Sequence, residues 1–407
     1  MKKIKIAIGI SFVAFFFCIG FVACKKEKTN PTQASLQEPV LPQVPYDYLS
    51  KHLVNNDLAT LGRVLFYDKN LSTNSAISCG SCHKQQFAFA DNVKVNKGFN
   101  GINLKRNSPA LQGIRGFFDP EKFSIINGNW VGTVSNGMPT AENQQQVLLF
   151  WDGRQKSVSD MVLNPVLNHN EMNMPGFDVL IAKLKSTTYY PGLFKNAFND
   201  ETITKEKIAY DLEGFLTCLN TSVSINPTQN TQQGNFEPNG NFFNDSTGVM
   251  PSSFTSLEQE GKFLFHTKYN CARCHDPSNT GVYGTVTNPS LMFNIGLDEV
   301  YADNGLGAIT GKPGDQGLFK VPSLKNISVT APYMHDGRFA NLGEVLDHYS
   351  HNIKSNKNLA PLFKELDGTP KKLNILPAEK LALIAFLNTL KDDDFLTSDM
   401  YADPFKK

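Results

Sequence analysis

Cys79-Gly80-Ser81-Cys82-His83 and Cys271-Ala272-Arg273-Cys274-His275 are two copies of one five-residue pattern in a chain of 407 residues. Two cysteines three positions apart can each add across a vinyl group of one haem, and the histidine that follows is then held beside the iron as an axial ligand. The duplicated pattern predicts two covalently bound haem c groups, the first on Cys79, Cys82 and His83 and the second on Cys271, Cys274 and His275. A zinc site made from the paired cysteines would leave a histidine after both pairs without a role. A thiol redox motif would sit in a strand-helix-strand pattern, which the sequence lacks.

The stretches around the motifs repeat as well. Leu58-x-x-x-Gly62-x-x-Leu65-Phe66 precedes the first motif, and Leu257-x-x-x-Gly261-x-x-Leu264-Phe265 precedes the second. Both read as short amphipathic helices whose glycine lets another helix or a haem edge come close. A second pair of helices is expected over Glu206 to Leu216 and Glu379 to Leu387, the latter started by Pro377 in its first turn. The fold class expected is mostly α: two cytochrome-c-like haem domains related by internal duplication, over 46–222 and 257–395, joined by a polar linker over 223–256. A second irregular stretch, about Gln112 to Gln146, carries Gly, Asn, Phe and Trp130 and reads as a long loop.

The N-terminus supplies an address. Met1 to Lys5 is positively charged, Ile6 to Val22 is apolar, and Ala23 precedes Cys24. This resembles a bacterial lipoprotein signal over 1–23, with a lipid on Cys24 anchoring the chain to a membrane through a polar tether over 24–45. Phe21 stands where Leu is usual, which leaves simple secretion or an uncleaved anchor open. Each route exports the chain to the periplasm, where c-type haem attachment is completed. A net charge of +1 with 19% charged residues and no basic stripe argues against a nucleic-acid partner. Cys218, in an apolar helical pattern, reads as a core thiol.

A haem held by a proximal histidine transfers electrons when six-coordinate and can bind peroxide when its other face is open. The remaining histidines are His52, His169, His266, His335, His348 and His351, and none lies between Lys84 and Ala141, the loop expected over the first haem. An open first haem is expected.

Further motifs follow: Phe150-Trp151-Asp152-Gly153-Arg154, Asn164-Pro165, Glu171-Met172, Lys320-Val321-Pro322-Ser323-Leu324-Lys325-Asn326, and Thr330-Ala331-Pro332-Tyr333-Met334-His335-Asp336-Gly337-Arg338. Together with the two haem motifs they resemble the bacterial dihaem cytochrome c peroxidase family, which includes the MauG-type enzymes, from about Tyr46 to Lys391. The resemblance implies reduction of H2O2 to water at the first haem, with electrons entering at the second from a small cytochrome or cupredoxin. It implies that Trp151 lies between the haems as a relay and that Glu171 is the distal acid/base. It also implies a Ca2+ ion between the haems, held by the Asn107 side chain and the carbonyls of Thr330 and Pro332. A homodimer is left open. Met161 stands where the family often has Gln, and a thioether cannot donate a hydrogen bond to peroxide. For the second haem, the family's Met ligand falls on Tyr349, as in the MauG-type branch; Met334 and His348 are the alternatives. Two rival functions stay open: a MauG-type oxidase drawing electrons from a protein side chain, and a dihaem electron carrier without enzymatic activity.

Overall fold

Helix α1, Asn56–Tyr67, turns Leu58, Leu61 and Leu65 inward at helical spacing and leads into α2, Cys79–Cys82, the first haem motif. The computed structural model describes residues 56–112, 148–219, 254–275 and 292–405, with Pro39 and the backbone of short strands at 124–126, 129–131, 146–147 and 285–286. The expected signal segment, the Cys24 anchor, nearly all of the tether, most of the Gln112–Gln146 stretch and residues 223–253 of the linker lie outside the described residues.

After the short strands β1 (Ser124–Ile126), β2 (Asn129–Val131) and β3 (Gln146–Val147), four helices complete the first half: α3 (Val158–Leu167), α4 (Phe177–Lys185), α5 (Tyr190–Phe198) and α6 (Lys205–Cys218). Side-chain caps start two of them: Ser157 accepts from Asp160 N, and Thr204 accepts from Lys207 N. The second half has α7 (Ser256–His266), α8 (Ala272–His275), the strands β4 (Thr285–Val286), β5 (Met292–Phe293) and β6 (Phe319–Lys320) with α9 (Gly307–Thr310) between β5 and β6, then α10 (Leu342–Asp347) and α11 (Pro377–Asn388). Thr255 and Glu258 cap α7 reciprocally. The described strands form three two-stranded antiparallel pairs, so helices dominate.

The glycines of the two repeated stretches do the same thing. A Cβ on Gly62 would lie 1.9 Å from the carbonyl oxygen of Asp211 and 2.9 Å from Phe215 Cβ; on Gly261 it would lie 1.9 Å from the carbonyl of Ala382 and 2.8 Å from Phe386 Cβ. Thus α1 crosses α6, and α7 crosses α11, at a separation that only glycine permits. Beside each crossing a phenylalanine pair packs with centroids 5.3 Å apart, Phe66 with Phe215 and Phe265 with Phe386. Each crossing belongs to its own buried apolar cluster. Cys218 is buried in the first, as expected of a core thiol.

Residues from Glu38 to Lys407 form one compact unit, and the chain end helps to join it. Helix α12, Asp393–Thr397, is capped by Asp392, and Phe395, Leu396, Met400 and Tyr401 are buried in the first cluster. Tyr67 Oη donates to Tyr401 O (2.7 Å), Arg63 Nε to Ala402 O (2.6 Å), and Gln85 Nε2 to Ser398 O (2.8 Å). The strap carries the chain from the second half back across the first. Asn326 is a second tie: its Nδ2 donates to Gln112 Oε1 (2.6 Å), and its Oδ1 accepts from Asp392 N (2.6 Å).

Candidate haem and peroxide site

Both five-residue motifs open onto one cavity of about 1270 Å3, whose wall includes Cys79, Cys82, His83, Cys271, Cys274 and His275. Its lining includes the apolar Phe66, Leu212 and Leu216 from the first half and Leu383 and Leu387 from the second. Burial pushes the thiols of Cys79, Cys82 and Cys271 up to about 12, and that of Cys274 in the same direction. Reactive redox cysteines are depressed, not raised, so these thiols lack the electrostatics of a disulfide exchanger. Among the described residues no three His, Cys, Asp or Glu side chains converge as a metal site.

The two motif histidines are prepared alike. His83 Nδ1 lies 2.7 Å from Phe89 O, and His275 Nδ1 lies 3.1 Å from Pro322 O. A carbonyl oxygen can only accept, so Nδ1 carries the proton and Nε2 presents its lone pair. Burial lowers both imidazoles, His275 to about 4, which keeps them neutral. A neutral imidazole whose far nitrogen is anchored on a carbonyl is an oriented metal ligand.

Glu171 and Trp151 lie on the same wall. Glu171 follows α3 in a turn, where Asn168 Nδ2 donates to its Oε1 (2.7 Å). Burial raises its carboxyl, and the Arg154 charge and the Asn168 hydrogen bond only partly oppose that. A carboxyl raised by desolvation inside a cavity is suited to taking and returning a proton. Trp151 Nε1 donates to Asn107 O (2.9 Å), which fixes the indole from a loop of the first half, and Trp151 O accepts from Lys320 N (2.8 Å), which ties its backbone to β6 of the second. Met161 is buried on α3 and also reaches the cavity.

For the second motif, Tyr349 faces the cavity from a single π-helical turn, His348–Asn352, that continues α10. Its hydroxyl makes no hydrogen bond among the described residues, and burial, then the thiols of Cys271 and Cys274, drive its pKa upward. Of its rivals, His348 donates from Nε2 to Ile295 O (3.0 Å) and is absent from the cavity wall. Met334 remains on the wall at a left-handed φ of 73°. His335 also lines the cavity, stacked on Phe319 with centroids 3.7 Å apart.

The three expected calcium ligands come near one another through backbone pairing: Asn107 N donates to His335 O (2.7 Å), three residues beyond Pro332. Asn107 is buried, and its Nδ2 donates to Val93 O (3.0 Å). Its Oδ1 and the carbonyls of Thr330 and Pro332 accept no hydrogen bond among the described residues. Three open oxygen acceptors, one of them buried, fit a hard cation.

Sequence reading missed the charge network beneath Trp151. Arg106 bonds Asp152 (2.5 Å) and forks onto Asp303 (2.6 and 2.8 Å), while Arg154 bonds Asp152 (3.0 Å) and stacks 3.6 Å over the Phe150 ring. Asp152 and Arg154 stand inside a quoted motif, yet Asp303 gives no local signal. Lys320, in another quoted motif, was not singled out either.

A family model described as di-haem cytochrome c peroxidase matches residues 56–227. The methylamine utilization protein MauG of Paracoccus denitrificans is 30% identical over 374 residues, covering 82% of this chain and 88% of that protein. The chain belongs to the di-haem cytochrome c peroxidase family. Another relative is the cytochrome c551 peroxidase of Nitrosomonas europaea, 26% identical over 336 residues, with 79% of this chain and 84% of that one covered. Among solved structures, a MauG-like protein associated with microbial copper homeostasis superposes with a TM-score of 0.64 at 25% identity, over 90% of this chain and 97% of that one.

Membership in this family implies two c-type haems. The residues present fit them, with two cysteines and one oriented, neutral imidazole for each group around one apolar cavity.

Proposed function

We propose that the protein reduces H2O2 to water with electrons from an external donor such as a small cytochrome c or a cupredoxin. The observation that carries this reading is the desolvated Glu171 carboxyl on a cavity wall shared with Cys79, Cys82 and His83. When bound, the haem at His83 supplies the iron for peroxide reduction, and the haem at His275 supplies a port for electrons. Glu171 takes a proton from one peroxide oxygen and returns it to the other, while Asn168 orients the carboxylate. The Arg154 charge favours the ionised form of Glu171 and opposes part of the effect of burial. Trp151, its indole N–H held by the Asn107 carbonyl, is the relay between the two haem sites. The Asn107 side chain with the Thr330 and Pro332 carbonyls would hold a Ca2+ ion, and Tyr349 would supply a ligand to the iron at His275. The matched glycine crossings and phenylalanine pairs support two domains that arose by duplication, each built around one haem motif. Export to the periplasm and a lipid on Cys24 belong to the same reading. The test is peroxide-dependent oxidation of reduced cytochrome c by the haem-loaded protein, with Glu171→Gln as the control; no oxidation by the parent protein would end this reading.

A second reading, a MauG-type oxidase that draws electrons from a protein side chain, is favoured by one observation, the unbonded Tyr349 hydroxyl on the cavity wall. A phenolate is a hard anionic donor that stabilises ferric iron, unlike the thioether of a cytochrome c peroxidase. If reduced cytochrome c is not oxidised but protein side chains are, this second reading holds.

A further inference from the structure

Lys320 is the second residue of β6, paired with Met292 across the β5–β6 ladder, and its side chain is on the wall of the haem cavity. Its backbone N–H holds the Trp151 carbonyl (2.8 Å), and two residues further on the Pro322 carbonyl anchors His275. Among the described residues the ammonium makes one hydrogen bond, a long 3.5 Å contact to Val321 O, and no ion pair with a carboxylate. Buried cations are normally paired, because an unpaired one costs several kcal/mol on the order of its lost hydration. Burial accordingly draws the Lys320 amine down to about 8.

The acids on this wall are committed elsewhere. Asp152 is held by Arg106 and Arg154, Asp303 by Arg106, and Glu171 by Asn168. Arg106 and Arg154 are in turn satisfied by those acids, and Lys105, also on the wall, is exposed. His335 is stacked on Phe319. Among the described residues, Lys320 is thus the cation on this wall without an acidic partner, and it faces a cavity that fits two haems, each of which carries carboxylates of its own.

We propose that Lys320 is the counter-ion of a haem propionate, paired with it beside Trp151 between the two haem motifs. The proposal rests on both motifs carrying haem, and haem content is counted separately so that the two claims fail separately. A propionate stripped of its cation places an uncompensated negative charge near the iron, which favours the ferric state.

The experiment is a spectroelectrochemical titration of both haems in the loaded parent, Lys320→Met and Lys320→Arg proteins over a range of pH. In Lys320→Met one midpoint potential should fall by about tenfold in the reduction equilibrium, about 59 mV for one electron. That potential should also become pH-dependent, falling as pH rises, because the unpaired buried propionate now takes up a proton when the iron is reduced. Arg106, Asp152, Arg154, Asp303, Glu171 and His335 are present in both proteins and cannot produce the difference. Lys320→Arg should restore the parent potential and remove the added pH dependence seen in Lys320→Met. Unchanged potentials and an unchanged pH profile in Lys320→Met would overturn the proposal. If Lys320→Met fails to load haem, retention of both haems in Lys320→Arg alone supports it, and loss in both variants overturns it in favour of a packing role.

Discussion

In the proposed reading Glu171 and Tyr349, both on the cavity wall, divide the chemistry between them. General acid/base groups typically contribute about 10²–10⁴-fold, so Glu171→Gln should lower peroxide turnover by a factor in that range with both haems retained. The pH profile should move with it. Burial raises the Glu171 carboxyl above its ordinary 4.5, and the base is active only when ionised. Turnover in the parent should therefore fall as pH drops through that raised value, and this acid limb should vanish in Glu171→Gln. A limb that survives the substitution would assign the base elsewhere. Tyr349→Phe removes the hydroxyl that faces the second motif. Electron paramagnetic resonance of the oxidised protein should then show one six-coordinate ferric haem become five-coordinate or water-bound, with the covalent haem retained. Spectra that ignore this change but respond to Met334→Leu would make Met334 the ligand. Sequence reading reached Glu171 through the Glu171-Met172 motif and Tyr349 through its distance from His335 in the family resemblance, and the fold puts both on the cavity wall. Lys320 was not legible, although its motif was read: a lysine in a sequence is a solvated charge until the fold encloses it, and only the commitment of Asp152, Asp303 and Glu171 to other partners leaves it alone.

At the scale of the element, the close helix crossings organise the two halves. Gly62→Ala or Gly261→Ala would gain about 1 kcal/mol of intrinsic helix propensity. Each would also drive a methyl to within 1.9 Å of a backbone carbonyl in the partner helix. Overpacking of this kind costs about 1–3 kcal/mol, and a backbone neighbour cannot rotate away as a side chain would. Both variants should unfold at lower urea concentration than the parent, and an unchanged midpoint in either would mean that the helices can slide apart freely. All four of these helices were legible from apolar spacing and caps, and the repeated glycine told in advance that something must come close. That the visitor is the carbonyl of Asp211 or Ala382 was not legible, because a crossing point depends on tertiary approach. The returning strap was equally hidden. Phe395, Leu396, Met400 and Tyr401 lie at or beyond the end of the expected second domain, and they become core because they meet α1 and the loop at Gln85.

For the whole molecule, both motifs line one cavity, and in the proposed reading the two haems they hold form a single electron path. Mass spectrometry of protein matured in a periplasm should show two haem additions, and Cys79→Ser with Cys82→Ser should lose one of them. The most direct measurement follows from the path itself. The fully reduced, haem-loaded protein is titrated anaerobically with H2O2, without a donor, and the oxidation state of each haem is followed optically. Reduction of one H2O2 to two waters takes two electrons and two protons, so one equivalent should oxidise both haems, each giving up one electron. Oxidation of one haem alone, or none, would contradict a peroxidase in which the two sites share one path through Trp151.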